Sequence, residues 1–321
     1  MYRFFLIPDN IPNFAARKIC LINNNRMKKI LTILIVFALM GLSVSAQTNF
    51  SGGIYSDTTW TLANSPYILT DTVVVFPGVT LTIQPGVVVK FDTNVQLEIR
   101  QATLIANGTN SDSITFTSNS STPFPGIWSG ILQNACNGQF NYCNFHYANR
   151  GIFCNDPYYS MTIKNSSFSY NLKGLNGLSF IDSTNVNYNT RYGLSIWGGS
   201  ITNSNILNNG VGVASGGGMS IIQNCIVSHN DTGMFVASVS INDCKINNNG
   251  TGVIAESAQS SGGYFLLSNC IIDSNSVIGI INNADDGPLT DSIYNCQINN
   301  NGIGLLLPNC CGYQYISKKQ Y

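Results

Sequence analysis

Ile293-Tyr294-Asn295-Cys296-Gln297-Ile298-Asn299-Asn300-Asn301-Gly302-Ile303-Gly304-Leu305-Leu306-Leu307 is the stretch that decides the fold. Ile293 to Ile298 alternates apolar and polar residues, as a strand with one buried face must. Asn299-Asn300-Asn301-Gly302 supplies a bend, because Asn and Gly tolerate the left-handed backbone of tight turns. Ile303 to Leu307 then reads as a second strand. The unit is expected to be two short strands around an Asn turn, with no helix-forming stretch.

The unit recurs upstream. Asn171, Asn189, Asn209, Asn230, Asn249, Asn275 and Asn301 follow one another at gaps of 18, 20, 21, 19, 26 and 26 residues. Each stands three residues after an apolar side chain: Phe168, Val186, Ile206, Val227, Ile246, Ile272 and Ile298. Two residues before that lies a small one: Ser166, Thr184, Ser204, Cys225, Cys244, Cys270 and Cys296. Cys143-Asn144-Phe145 opens a further copy, with Ala148 in the Asn place. A period near twenty with three columns in register marks a solenoid. Short β-branched units rich in Gly and Asn stack as a parallel β-helix, each coil adding about 4.8 Å. The Asn amides are then expected to hydrogen-bond along the axis as a structural ladder. The column from Cys143 and Ser166 to Cys296 is expected to point inward beside the apolar one. Asn248, beside the ladder, is expected to be solvated and cheap to replace.

Before the first copy the texture changes. Val79, Leu81 and Ile83 alternate after Pro77-Gly78, and Val87, Val89 and Phe91 after Pro85-Gly86. Leu97/Ile99, Leu104-Ile105 and Ile114/Phe116 continue in the same manner, as strands punctuated by turn residues. The run PGVTLTIQPGVVVKF, followed by ATLIANGT, SITFTS and PGIWSGI, resembles the opening of secreted bacterial β-helix proteins of the pectate-lyase-like superfamily. The resemblance covers residues about 60–135, and the Asn-turn repeats extend it to about 307. It implies an all-β, right-handed parallel β-helix of about eleven or twelve coils, exported from the cell. It leaves activity open, because the superfamily holds lyases, hydrolases, epimerases, adhesins and inert surface proteins.

The expected organisation is 1–26 upstream of the true start, 27–46 a signal peptide, 47–135 N-terminal coils, 136–307 Asn-turn coils and 308–321 a short tail. Met27-Lys28-Lys29, an uncharged run from Ile30 to Leu42, and Ser43-Val44-Ser45-Ala46 have the layout of a secretory signal. The run is too short for a membrane span, which needs about 20 apolar residues. A secreted or outer-surface location follows, with no span after cleavage. No capping element is visible after Leu307, so the end is expected to be truncated or covered by another chain, with association through the last coil.

From Gln47 onward nine Lys and Arg stand against fourteen Asp and Glu, a net charge of about −5. Nucleic acid is a disfavoured partner for such a chain. Export would permit disulfides, yet five cysteines occupy the inward column and read as small hydrophobes. No Cys-x-x-Cys or His-pair spacing suggests zinc, and neither a metal nor a cofactor is expected.

Each chemistry common on this fold has a residue requirement. Uronate lyases need Arg or Lys to hold substrate charge and a base near the operating pH. Arg150, Lys164, Lys173 and Arg191 lie in the earlier coils and read as single solvated bases without a signal that joins them. Inverting glycosidases need two carboxylates about 6.5–9.5 Å apart. The adjacent pair is Asp285-Asp286, a weak catalytic candidate in a good turn sequence, and the Gly-His-Gly and Arg-x-Lys elements of the polygalacturonase-like family are missing. His146 and His229 lie on separate coils without an acid in register. The position before the Asn column holds Tyr147, Tyr170 and Tyr188, which either offer ring faces to sugars or merely stack on one another. The leading expectation is a non-catalytic surface protein that binds carbohydrate or a partner. The alternatives are a polysaccharide lyase or hydrolase, and a fragment of a larger surface protein.

Overall fold

The computed structural model describes residues 29, 47–154, 156–216, 218–256, 265–283 and 292–307. The expected signal segment, apart from Lys29, lies outside them, as do the upstream residues and the tail. Every strand pair among the described residues is parallel. Eleven strands form one sheet, and a 22-stranded sheet holds the rest, so the chain is a parallel β-solenoid of about eleven turns.

Each Asn-turn coil contributes three strands, not the two expected. A typical coil runs Val239–Asn242, Lys245–Asn247 and Thr251–Glu256. The alternating stretch read as one strand breaks just before the Ser/Thr/Cys column. There Tyr142, Asn165, Ser183, Asn203, Asn224, Asp243, Asn269 and Asn295 adopt φ between 48° and 55°. A left-handed residue turns the chain, so the strand ends while the inward alternation resumes two residues later. The column side chain fastens this corner. Ser166 Oγ donates to the Lys164 carbonyl at 2.7 Å, Ser204 Oγ to Thr202 at 2.7 Å and Cys244 Sγ to Asn242 at 3.1 Å.

A second left-handed column, from Tyr147 through Asn248 to Asn300, makes the other corner. Beside it runs the Asn ladder. Asn230 donates through both its backbone N and Nδ2 to Asn249 Oδ1, each at 3.0 Å, and Asn249 repeats this toward Asn275. Each Nδ2 also reaches back to a carbonyl of the preceding coil, as Asn230 does to Ile206 at 3.1 Å. The ladder starts where the sequence lacks an amide, with Ala148 N donating to Asn171 Oδ1 at 2.9 Å. From Asn171 to Asn275 these side chains are buried.

Stacking also builds the core. Phe116, Phe145 and Phe168 lie over one another, with centroids 5.0 and 4.7 Å apart, and Val186, Ile206, Val227, Ile246 and Ile272 continue their column in register. Each such side chain buried contributes about 1.5–3 kcal/mol. Glycines at 151, 174, 193, 212, 233, 252 and 279 let adjacent coils close beside the Asn ladder. A Cβ on Gly212 would stand 2.6 Å from the Gly233 carbonyl oxygen.

Candidate binding site on three successive coils

The corner before the Asn ladder faces solvent, and on three coils it carries tyrosine. Tyr147 is half-buried, whereas Tyr170 and Tyr188 are exposed. Their rings stack face to face, Tyr147 on Tyr170 at 5.9 Å and Tyr170 on Tyr188 at 5.2 Å with planes 5° apart. Ring faces within the stack are therefore occupied by neighbouring rings. The ladder offers edges and phenol hydroxyls outward, not the open faces that sugar stacking needs.

Two residues past the Asn column the chain enters the third strand of the coil, and at this point the sequence reading of the bases needs correction. Arg150, Lys173 and Arg191 all stand at this offset, from Ala148, Asn171 and Asn189. Stacking therefore brings them together. Arg150 and Lys173 are Cα partners in adjacent strands, and Lys173 pairs with Tyr192, the neighbour of Arg191. The Arg150 guanidinium lies 4.8 Å from the Phe153 ring centroid, and Lys173 Nζ and the Arg191 guanidinium lie 5.5 and 5.4 Å from that of Tyr192. Among the described residues the one ion pair is Arg100–Glu98, which includes none of these three bases. Partial burial and then the two arginines push the Lys173 ammonium below its usual range. Lys164 stays apart, in register with Asp182 in another sheet.

The result is a block in which each coil supplies a tyrosine and, three residues on, a base: Tyr147/Arg150, Tyr170/Lys173 and Tyr188/Arg191. Its two coil steps span about 10 Å. Cations of this block hover over aromatic rings and form no ion pair among the described residues, so they are available to an external anion.

The other candidates do not assemble into a reaction centre. Asp285 and Asp286 lie outside the described residues. Asp182 and Asp243 flank a polar groove lined by Thr202, Asn203, Gln223 and Asn224. Each carboxylate is engaged by neutral side chains of the groove, Asp182 by Thr202 and Asn203 and Asp243 by Gln223. Asn203, a donor to Asp182 at 2.7 Å, holds that carboxyl below its ordinary range. His146 Nδ1 shares a hydrogen bond of 2.8 Å with Ser169 Oγ. Ser169 is buried, so it is no open nucleophile. His229, at the corner, bonds the adjacent Ser228. Among the described residues no three His, Cys, Asp or Glu converge on a metal position.

The coil geometry has a known counterpart. Residues 52–147 match the family profile described as a pectate-lyase like beta helix domain. No curated protein matches the chain in sequence. Among solved structures, a point mutant of the periplasmic alginate epimerase AlgG aligns at 11% identity over 74% of this chain and 65% of its own, with a TM-score of 0.49. The A-module of the mannuronan C-5 epimerase AlgE4 from Azotobacter vinelandii aligns at 15% identity over 92% and 96%, TM-score 0.37. Pectate lyase Pel9A aligns at 12% over 81% and 80%, TM-score 0.38. The chain thus spans about two thirds of the length of AlgG.

Proposed function

We propose that this is an exported β-helix protein that binds an anionic polysaccharide along the three-coil block, without needing to transform it. The observation that carries the proposal is the pairing of a tyrosine edge with a base on three successive coils, none of these bases ion-paired among the described residues. Cations repeating every coil suit a polymer with a charge on each sugar, laid along the axis. Phenol hydroxyls beside them suit the sugar hydroxyls. The rest of the mature chain is acidic, so binding should be local and weaken with salt.

Replacing Arg150, Lys173 and Arg191 together by Gln tests the proposal. Exposed charge contacts contribute about 0.2–1 kcal/mol each, so the triple variant should bind polyuronates about three- to 150-fold more weakly by calorimetry at low salt. Neutral glucans should not bind the parent. Equal affinity of parent and variant, or a preference for neutral glycans, would refute the proposal.

Turnover is the second reading, and Lys173 favours it. A lysine with lowered proton affinity between two arginines is suited to remove a proton next to a carboxylate that the arginines hold. Release of unsaturated sugars by the parent, lost in Lys173→Gln, would select this reading over simple binding.

A further inference from the structure

Four of the inward corner positions are cysteines on consecutive coils: Cys225, Cys244, Cys270 and Cys296. The first three are buried and Cys296 is half-buried, and all are free thiols. Each sulfur takes the same place in its coil. It lies 3.1–3.3 Å from the carbonyl two residues back. It lies 3.5–3.7 Å from a carbonyl of the coil before. Identical placement in every coil means that the sulfurs repeat at the coil rise, about 4.8 Å.

Corner capping does not explain this run, because Ser166, Thr184 and Ser204 perform it with hydroxyls. Thiols add softness and the ability to bridge. Half of the coil rise is about 2.4 Å, the length of an ordinary metal–thiolate bond (about 2.3 Å for zinc). Tetrahedral ions need ligands that a straight column lacks, which agrees with the absence of any three-ligand cluster among the described residues. A soft monovalent ion satisfied by two opposed sulfurs needs nothing more.

We infer that Cys225, Cys244, Cys270 and Cys296 form a linear thiolate column that takes soft two-coordinate monovalent cations, cuprous ion being the representative, in the gaps between coils. Four thiols present three gaps. Filling all three releases four protons and leaves the inner sulfurs bridging, with one net negative charge. The Cys244 amide, which donates to the Cys270 sulfur at 3.4 Å, stabilises that charge. Cys296 is the accessible end through which ions enter.

The test is anaerobic titration of the reduced full-length protein with cuprous ion, buffered by an aromatic diimine chelator. A variant with all four cysteines changed to Ser provides the background from other thiols. It should retain the parent's circular dichroism, since a hydroxyl already serves at three corners. The parent should take up as many as three ions above that background. Cys244→Ser removes two gaps and should take up one. Equal uptake by the parent and either variant would overturn the inference. So would mass spectrometry showing Cys225–Cys244 or Cys270–Cys296 disulfides in the protein as exported.

Discussion

Changing Asn230 to Ala removes one rung of the ladder, and the cost follows from who loses a partner. Asn230 Oδ1 accepts from Asn209 N at 2.8 Å and from Asn209 Nδ2 at 3.0 Å. Asn209 Nδ2 keeps the carbonyls of Val186 and Leu207, so it stays satisfied. The Asn209 backbone N–H has no such substitute in the buried ladder. An orphaned buried donor costs about 1–3 kcal/mol, and the small void left by the amide adds to this. About 2–4 kcal/mol is expected in all, centred on a middle coil that both flanking stacks depend on.

Asn248 is the control, and for it the sequence expectation of a cheap position needs revision. It is exposed, but its φ is 56°. Ala there meets the left-handed penalty of about 1–2 kcal/mol, whereas Gly does not. Urea denaturation should therefore rank Asn230→Ala as most destabilised, Asn248→Ala next and Asn248→Gly near the parent. If Asn230→Ala unfolds at the same midpoint as Asn248→Gly, the ladder is not what holds the corner.

Two further outcomes are expected. Gly212→Ala should lower the urea midpoint strongly, because its Cβ meets the Gly233 backbone, while Gly216→Ala, with nothing within 4 Å, should leave it unchanged. Burial lowers the proton affinity of His146 below the ordinary value of 6.5. The unfolded chain then binds more protons than the native one below that pH. Stability should be full above about pH 6.5 and fall as pH drops toward the folded value, a limb that His146→Gln should lack in urea midpoints measured across pH.

The parts legible in sequence were those where one residue type holds one offset in every coil. Asn at the inner corner and Ser, Thr or Cys at the other survive as columns because each does the same bonding in each coil. The glycine column escaped notice, since it falls three residues after Asn209 but four after Asn189 and Asn275, where an extra residue enters the corner. The third strand was hidden by inward alternation that continues through the break, although Asn, Asp or Ser at seven of the eight left-handed positions signals it. The basic block was missed for another reason. Tyrosines and bases were each visible, but bases judged one at a time lose the coil register that stacks Arg150 on Lys173 and sets Arg191 beside them.

Register also separates the block from scaffold. In register the column runs Arg150, Lys173, Tyr192, Val211, Thr232, Thr251, Ile278 and Ile303, with Arg191 one residue before Tyr192. β-Branched residues suit a strand entrance. Two stacked cations with a third beside them do not, because like charges about one coil apart repel by roughly 1 kcal/mol per pair even in water. Contact with the Tyr192 ring returns about 0.5–1 kcal/mol to Lys173, less than its two neighbours and its partial burial take away. Lys173→Thr, which installs the side chain this column uses at 232 and 251, should therefore raise stability at low salt and lose that gain as salt is added. The same change should weaken polyuronate binding. Opposite signs for stability and binding are what a surface kept for an external anion requires. A Lys173→Thr protein that melts earlier than the parent would make the three bases part of the scaffold and remove the ground for the binding proposal.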